Sequence, residues 1–269
     1  MTDRLSFIFR ALVTVCGLGV LWQAIVWITQ SPPYILPGPL PVLRVIATRM
    51  DFLAPHAAVT VTEILLGLLL GTILGVTSAI LIHQLRPARR WLFPLLVISQ
   101  AIPVFAIAPV LVLWLGYGMA SKVAMATLII YFPVTASFMD GLRRTESGWL
   151  DLATTMIDDE RRCTWAVLWH IRIPAALPAL ASGLRVAAAV APIGAVVGEW
   201  VGASAGLGYV MLHANGRMQI DLMFAALIVL SLFALAIYSA VDGLLRRALP
   251  WQPDSAPTDT DMPARSKPS

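Results

Sequence analysis

One segment of this sequence spells a catalytic motif. Gly202-Ala203-Ser204-Ala205-Gly206 fits G-x-S-x-G, the turn that presents a strained serine as a nucleophile between a strand and a helix. Here an apolar, helix-forming stretch precedes it, and His213 follows only nine residues later. No separate helix offers a histidine to face the serine. The segment therefore reads as a glycine-rich, helix-terminating turn, with an intramembrane serine protease as the alternative. Other chemistries lack their residues. A phosphate-cradling G-x-x-x-x-G-K-[ST] loop needs a lysine after a glycine, whereas Lys122 and Lys267 both follow serines. The four histidines, His56, His83, His170 and His213, are scattered at the edges of apolar stretches, no H-E-x-x-H occurs, and a metal cluster is not expected. Cys16 lies in an apolar run and Cys163 in a charged one, so neither a disulfide framework nor a thiolate metal site is indicated.

Two ionisable residues stand out because their surroundings are apolar. Arg185 and Glu199 are fourteen positions apart, about 21 Å along a helix. Ionisable groups inside a membrane span are functional candidates by default. Arg185 has the competing reading of an interface anchor whose long stem snorkels outward. Glu199 could face a water-filled vestibule or bond neighbouring helix ends. No second buried acid is evident beside it, so a proton relay is not indicated.

The elements that must position these groups follow from composition. Apolar residues make up 58% of the 269 and charged residues 13%, against roughly 45–50% and 25% in soluble domains. The mean hydropathy is +0.80 and the pI near 9.4. Such a chain lacks the polarity to cover a water-soluble globule. Spans of about 20 residues are needed to cross a bilayer, and they fit near 11–29, 62–84, 92–115, 123–140, 179–201 and 222–242. The third carries Pro94, Pro103 and Pro109 and should be kinked or broken. The expected class is an all-α integral membrane protein of about six transmembrane helices. With both termini cytoplasmic, fourteen of the 19 basic residues lie inside, four (Arg44, Arg49, Lys122 and Arg217) outside, and Arg185 within a span; basic residues favour the cytoplasmic side. The first span is expected to be an uncleaved anchor rather than a signal peptide, because no small-x-small site follows it. The basic excess needs no nucleic acid to explain it.

Along the chain, residues 1–30 hold the cytoplasmic N-terminus and first span. Residues 31–58 form a proline-rich outer loop with an interfacial helix through Leu43, Ile46 and Met50. Residues 59–248 form a core with a charged cytoplasmic loop at 141–173, and 249–269 a Pro-, Asp-, Ser- and Thr-rich disordered tail. Within the loop, Trp149, Leu150, Leu152, Ala153 and Met156 recur at helical spacing, as do Trp165, Leu168 and Trp169, which suggests surface-docking helices. Gly67, Gly71 and Gly75, and again Gly194, Gly198 and Gly202, lie four apart. Such stripes let helices approach closely, either in ordinary bundle packing or on a sliding or dimer face.

The order of several short motifs resembles binding-protein-dependent ABC transporter permeases of the nitrate/sulfonate/taurine type. They are Tyr34-Ile35-Leu36-Pro37-Gly38-Pro39; Leu113-Trp114-Leu115-Gly116-Tyr117-Gly118; Ile171-Arg172-Ile173-Pro174; Gly183-Leu184-Arg185; and Glu199 through Gly206-Leu207-Gly208-Tyr209. Ala191-Pro192 through Glu199-Trp200, with His213-Ala214-Asn215-Gly216-Arg217, is most similar to permeases assigned to hydroxymethylpyrimidine, a thiamine precursor. The resemblance implies a MetI-like bundle in the bacterial inner membrane that binds no cofactor itself. ATP and Mg would reside on a cytoplasmic ATPase pair, a periplasmic binding protein would deliver substrate, and a second copy, as a homodimer, would complete the pathway. It also implies roles. Asp151-Leu152-Ala153 stands at the E-A-A of a coupling helix, so Trp149, Leu150, Asp151, Leu152, Ala153, Met156, Ile157, Ile171 and Pro174 become coupling residues. Arg185, Pro192, Glu199 and Asn215 become candidates for the substrate pathway. One departure is visible: Ile157 occupies the turn-glycine position, and Ile171-Arg172-Ile173-Pro174 arrives four residues late, so either the turn has moved or docking is impaired. A secondary transporter is the remaining rival. Pro103 and Pro109 could break a helix for an ion site, but paired acids are not evident.

Overall fold

The helices take their limits from glycine, proline and the length of each apolar run. The computed structural model describes residues 2–156 and 165–251. Within them the chain forms α1 (Thr2–Thr29), α2 (Pro39–Thr48), α3 (Met50–Gln84), α4 (Arg86–Ala101), α5 (Val104–Leu115), α6 (Met119–Arg143), α7 (Ser147–Met156), α8 (Ile173–Gly202), α9 (Leu207–Gly216) and α10 (Ile220–Ala248). Among the described residues there is no strand.

Among the described residues, four stretches are long and apolar enough to cross a membrane: α3, α6, Trp165–Gly202 and α10. They correspond to the second, fourth, fifth and sixth expected spans, each longer than its apolar pattern suggested. The expected third span divides. Ile102 has φ −86° and ψ 118° and Pro103 has φ −58° and ψ 121°, because a residue before proline is pushed out of the helical region. Two shorter helices, α4 and α5, result. Gly116 closes α5 at φ +80°, with its N–H on the Val112 carbonyl at 2.8 Å. The interfacial stretch is α2, started by Pro39 after Gly38, and α3 follows after the single residue Arg49.

Helix α6 is the centre of the bundle, packed between α3 and α8. Both glycine stripes, apart from Gly202, lie against it. A Cβ at Gly67 would sit 2.5 Å from Ala126 Cβ, one at Gly71 2.6 Å from Ile130 Cγ2, and one at Gly75 2.8 Å from Val134 Cγ1. From the other side, Gly194 faces the Ala126 backbone and Gly198 faces Lys122, while Gly202 abuts Val112 and Tyr117. The opposite face of α3 exposes Leu65, Leu66, Leu69, Leu70, Ile73 and Leu74, the composition that lipid tails accept. Small residues inward and leucines outward is the pattern of a membrane helix, whose packing relies on close approach.

Helix α8 begins from a π-helical turn, Leu168–Arg172, where the Ile173 N–H reaches the Leu168 carbonyl. Pro174 follows at once, and a proline removes a donor and crowds the preceding turn, a setting in which helices widen. The helical path still runs from Trp165 to Gly202, 38 residues, or about 57 Å. At its start lies the 141–173 loop. There Ala153 of α7 packs with Val167, Leu150 and Ile171, while Trp149, Leu152 and Met156 remain exposed. Ile157 and the charged run after it, like nearly all of the expected tail, fall outside the described residues.

Candidate functional site

At the other end of α8 a knot of buried polar groups replaces the expected isolated acid. The start of α9 creates the need for it. The first N–H groups of a helix have no partners within the helix, and the residue before α9 is Gly206, at φ +124°, which has no side chain to cap with. Three side chains from other helices do the capping. Glu199 Oε2 accepts the Gly208 N–H and, at 3.3 Å, the Tyr209 N–H. Thr60 Oγ1 accepts the Leu207 N–H at 2.8 Å, and His56 Nδ1 accepts the Gly206 N–H at 3.0 Å. Thr60 then donates its hydroxyl proton to Glu199 Oε1 at 2.6 Å. A carboxylate at a helix N-terminus is also favoured by the helix dipole.

Beside Glu199 lies the second acid. Glu63 is fully buried in α3 and receives the Lys122 ammonium of α6 at 2.8 Å. Lys122 also points to the Ala205 carbonyl at 3.4 Å. The side chains of Glu63 and Glu199 act on each other, so two acids and the one ammonium that Glu63 holds gather among three helices and the 203–206 turn. This corrects two expectations. Glu199 does have a buried acidic companion, and Lys122 is an interior partner rather than a loop cation. Of the two environments open to Glu199, its bonds are those of a group tied to a neighbouring helix end. Gly206 is required here, because a Cβ would collide with the Glu199 carboxyl.

The knot lies beneath a cleft of about 610 Å³ lined by residues of the α2–α3 junction and of 204–222. Four rings run along it. Phe52 meets His56 edge-on at 4.8 Å between centroids, His56 lies near-parallel to Tyr209 at 6.0 Å, and Tyr209 contacts His213 at 4.0 Å. Ser204, Tyr209 and His213 also border a second cleft of about 350 Å³ that reaches Lys122 and Glu199. Thus His56 and His213 meet around one tyrosine, although sequence showed them as scattered. Among the described residues there is no cluster of three metal-ligating side chains. His213 Nδ1 faces the Tyr209 carbonyl at 3.2 Å and Ser204 is exposed, so the G-x-S-x-G serine lies in the glycine turn without a base held against it by a hydrogen bond.

The other residues singled out from sequence lie apart from the knot. Arg185 Nε bonds Asp242 Oδ1 at 2.6 Å, and Arg246 holds the second Asp242 oxygen at 2.9 Å, joining α8 to α10. Pro192 is buried midway along α8, and Asn215 is exposed at the far end of α9. Sequence reading assigned no site role to Glu63, Lys122, Thr60, His56 or Tyr209. The available signal was one acid and one base at the edges of two uncharged runs, which had served only to mark where the runs end.

A family model described as "binding-protein-dependent transport system inner membrane component" matches residues 67–250. The chain belongs to this family. It is 55% identical over 240 residues to a probable ABC transporter permease protein of Haemophilus influenzae, covering 89% of this chain and 96% of that one. To the formylaminopyrimidine transport permease protein ThiX of Halalkalibacterium halodurans it is 36% identical over 236 residues, covering 87% and 92%. A solved structure of the MetNI methionine ABC transporter in inward-facing conformations superposes with a TM-score of 0.62 at 18% identity, over 74% of this chain and 97% of that one. That likeness shows the fold, a MetI-like helical bundle. The chain is an ABC importer permease subunit, a multi-pass inner-membrane protein of a type that carries no ATPase site of its own. The protease and secondary-transporter readings give way to it.

Proposed function

We propose that this permease serves the ATP-driven import of a pyrimidine thiamine precursor, hydroxymethylpyrimidine or a close analogue. The observation that carries the substrate is the 36% identity, over nearly the whole chain, to a permease named for formylaminopyrimidine. In this reading two copies of the chain enclose the pathway, a cytoplasmic ATPase pair binds ATP and Mg, and a periplasmic binding protein delivers the substrate. The 141–173 loop is cytoplasmic, as are both termini. Burial of Lys122 in the ion pair leaves three basic residues, Arg44, Arg49 and Arg217, on the outer side, which strengthens the inside excess.

The geometry supports a mechanical role. Trp149, Leu152 and Met156 present an exposed apolar row on α7, a surface suited to an ATPase groove, while Leu150, Ala153 and Ile171 tie α7 to the root of α8. Asp151 and Pro174 frame that junction in sequence. From there the continuous helical path leads to Glu199 and the 203–206 turn. ATP supplies the differential stabilisation that any two-state switch needs; closure of the cassettes pushes α7, α8 moves as a lever, and the knot end responds. Arg185, Pro192 and Glu199 lie along that lever, with Asn215 beyond it.

The test is uptake of labelled hydroxymethylpyrimidine by proteoliposomes holding the permease, its ATPase and its binding protein, with taurine as competitor. ATP-dependent pyrimidine uptake that ignores taurine is expected. Uptake of taurine in place of the pyrimidine would transfer the protein to the sulfonate-type alternative, and ATP hydrolysis by the permease alone would overturn the division of labour.

A further inference from the structure

We propose that the ring-lined cleft above the knot is a receiving site for a flat heteroaromatic amine, an inference that rests on the substrate class proposed above. Phe52 and His213 are both exposed and both line it, so each keeps ring surface free for a stacked heterocycle. Around them stand groups with unused hydrogen-bonding capacity. Arg49 and Arg217 line the cleft as donors and Asp51 as acceptor, and none of the ion pairs among the described residues involves them. An aminopyrimidine offers the complement: ring nitrogens that accept, an exocyclic amine that donates, and a π face. At about 610 Å³ the cleft lies within the roughly 300–1,000 Å³ range of small-molecule sites. The contrast with the rest of the surface is chemical. A cleft of similar size between Ile46, Met50, Val61 and Phe233 is lined by apolar residues throughout, which suits a lipid tail. A taurine-like ligand has no π face to place on the rings.

The position gives the site a consequence. Tyr209 and His56 form its inner wall, and both also hold the start of α9, through the Tyr209 N–H on Glu199 and the Gly206 N–H on His56. A ring seated in the cleft therefore touches the same residues that set the 203–209 turn at the end of α8, His56 by its side chain and Tyr209 by its backbone, where the ATP-driven movement arrives.

The experiment is saturation-transfer NMR on the permease–ATPase complex in nanodiscs, without binding protein, with hydroxymethylpyrimidine at millimolar concentration and taurine as comparator. Saturation transfer is expected to the ring proton of the pyrimidine and none to the methylene protons of taurine. Phe52→Leu and His213→Leu should each weaken the pyrimidine about tenfold, the effect of losing one stacking face, whereas His213→Phe should retain it. Melting temperature and ATPase rate identify any variant that has misfolded, and His213→Phe keeps the comparison decisive in that event. No transfer to wild-type complex, or leucine variants that bind as wild type does, would overturn the cleft while leaving pyrimidine uptake in proteoliposomes untouched. Absence of pyrimidine uptake itself would remove the substrate reading and this inference together.

Discussion

Replacing Lys122 by methionine should be far more damaging than replacing it together with Glu63. The Glu63 side chain is wholly inaccessible and that of Lys122 is 7% exposed, with 2.8 Å between the charged atoms. Removing one partner of such a pair leaves an uncompensated buried charge, which costs about 3–5 kcal/mol. At roughly 2–4 °C per kcal/mol for a chain of this size, Lys122→Met or Glu63→Leu should lower the melting temperature by roughly 10 °C. The double variant, Glu63→Leu with Lys122→Met, puts apolar volume where the pair was, a change that is often neutral or stabilising, and it should recover most of the loss. The assay is thermal unfolding in lipid nanodiscs followed by tryptophan fluorescence, since the nine tryptophans report on the whole bundle. A coupling energy above about 2 kcal/mol is expected, at the upper end of the range for contacting residues. Simple additivity of the single losses would refute the buried pair.

Two further substitutions test the packing and the turn. Gly71→Ala places a methyl 2.6 Å from Ile130 Cγ2 and should destabilise by about 1–3 kcal/mol, whereas Gly243→Ala, with nothing within 4 Å, should be neutral or slightly stabilising; equal melting temperatures would contradict the close approach of α3 and α6. Gly206→Ala combines a φ of +124° with a collision against Glu199, and a non-glycine residue in that region costs about 1–3 kcal/mol before any clash. ATP-driven uptake should fall sharply in this variant and survive in Gly216→Ala, where the space is open; an active Gly206→Ala importer would show that the turn tolerates rearrangement.

Much of the bundle was legible because lipid imposes a coarse rule: uncharged runs of sufficient length must be helices. That rule located α3, α6, α8 and α10, and the prolines located the break before Val104. It underestimated lengths, because α3 continues back to Met50 through polar residues such as Asp51 and His56, and α8 starts at Ile173, ahead of Pro174 and Pro178, which in sequence read as breaks before the span. The site was less legible. Glu199 drew notice as a charge within an apolar run, but its partners come from 139 positions away in Thr60 and from the first turn of α9. Glu63 and Lys122, each at the border of an uncharged run, looked like ordinary span ends; a pair 59 positions apart becomes visible only once Gly67 and Gly71 have drawn α3 against α6. The ring pile is hidden for the same reason, since His56 and Tyr209 belong to different helices. Arg185, by contrast, was conspicuous in sequence and is engaged with Asp242, in a tie between helices.

The central claim is that one end of this bundle faces the ATPase and the other receives substrate, and thiol accessibility tests it most directly. In a chain with Cys16 and Cys163 replaced by serine, cysteines introduced at Gly148 beside the α7 apolar row and at Ser204 above the knot are both exposed. In intact spheroplasts an impermeant maleimide should label Ser204→Cys at once and Gly148→Cys only after lysis. Labelling of Gly148→Cys from outside, with Ser204→Cys protected until lysis, would invert the protein in the membrane and contradict the mechanism.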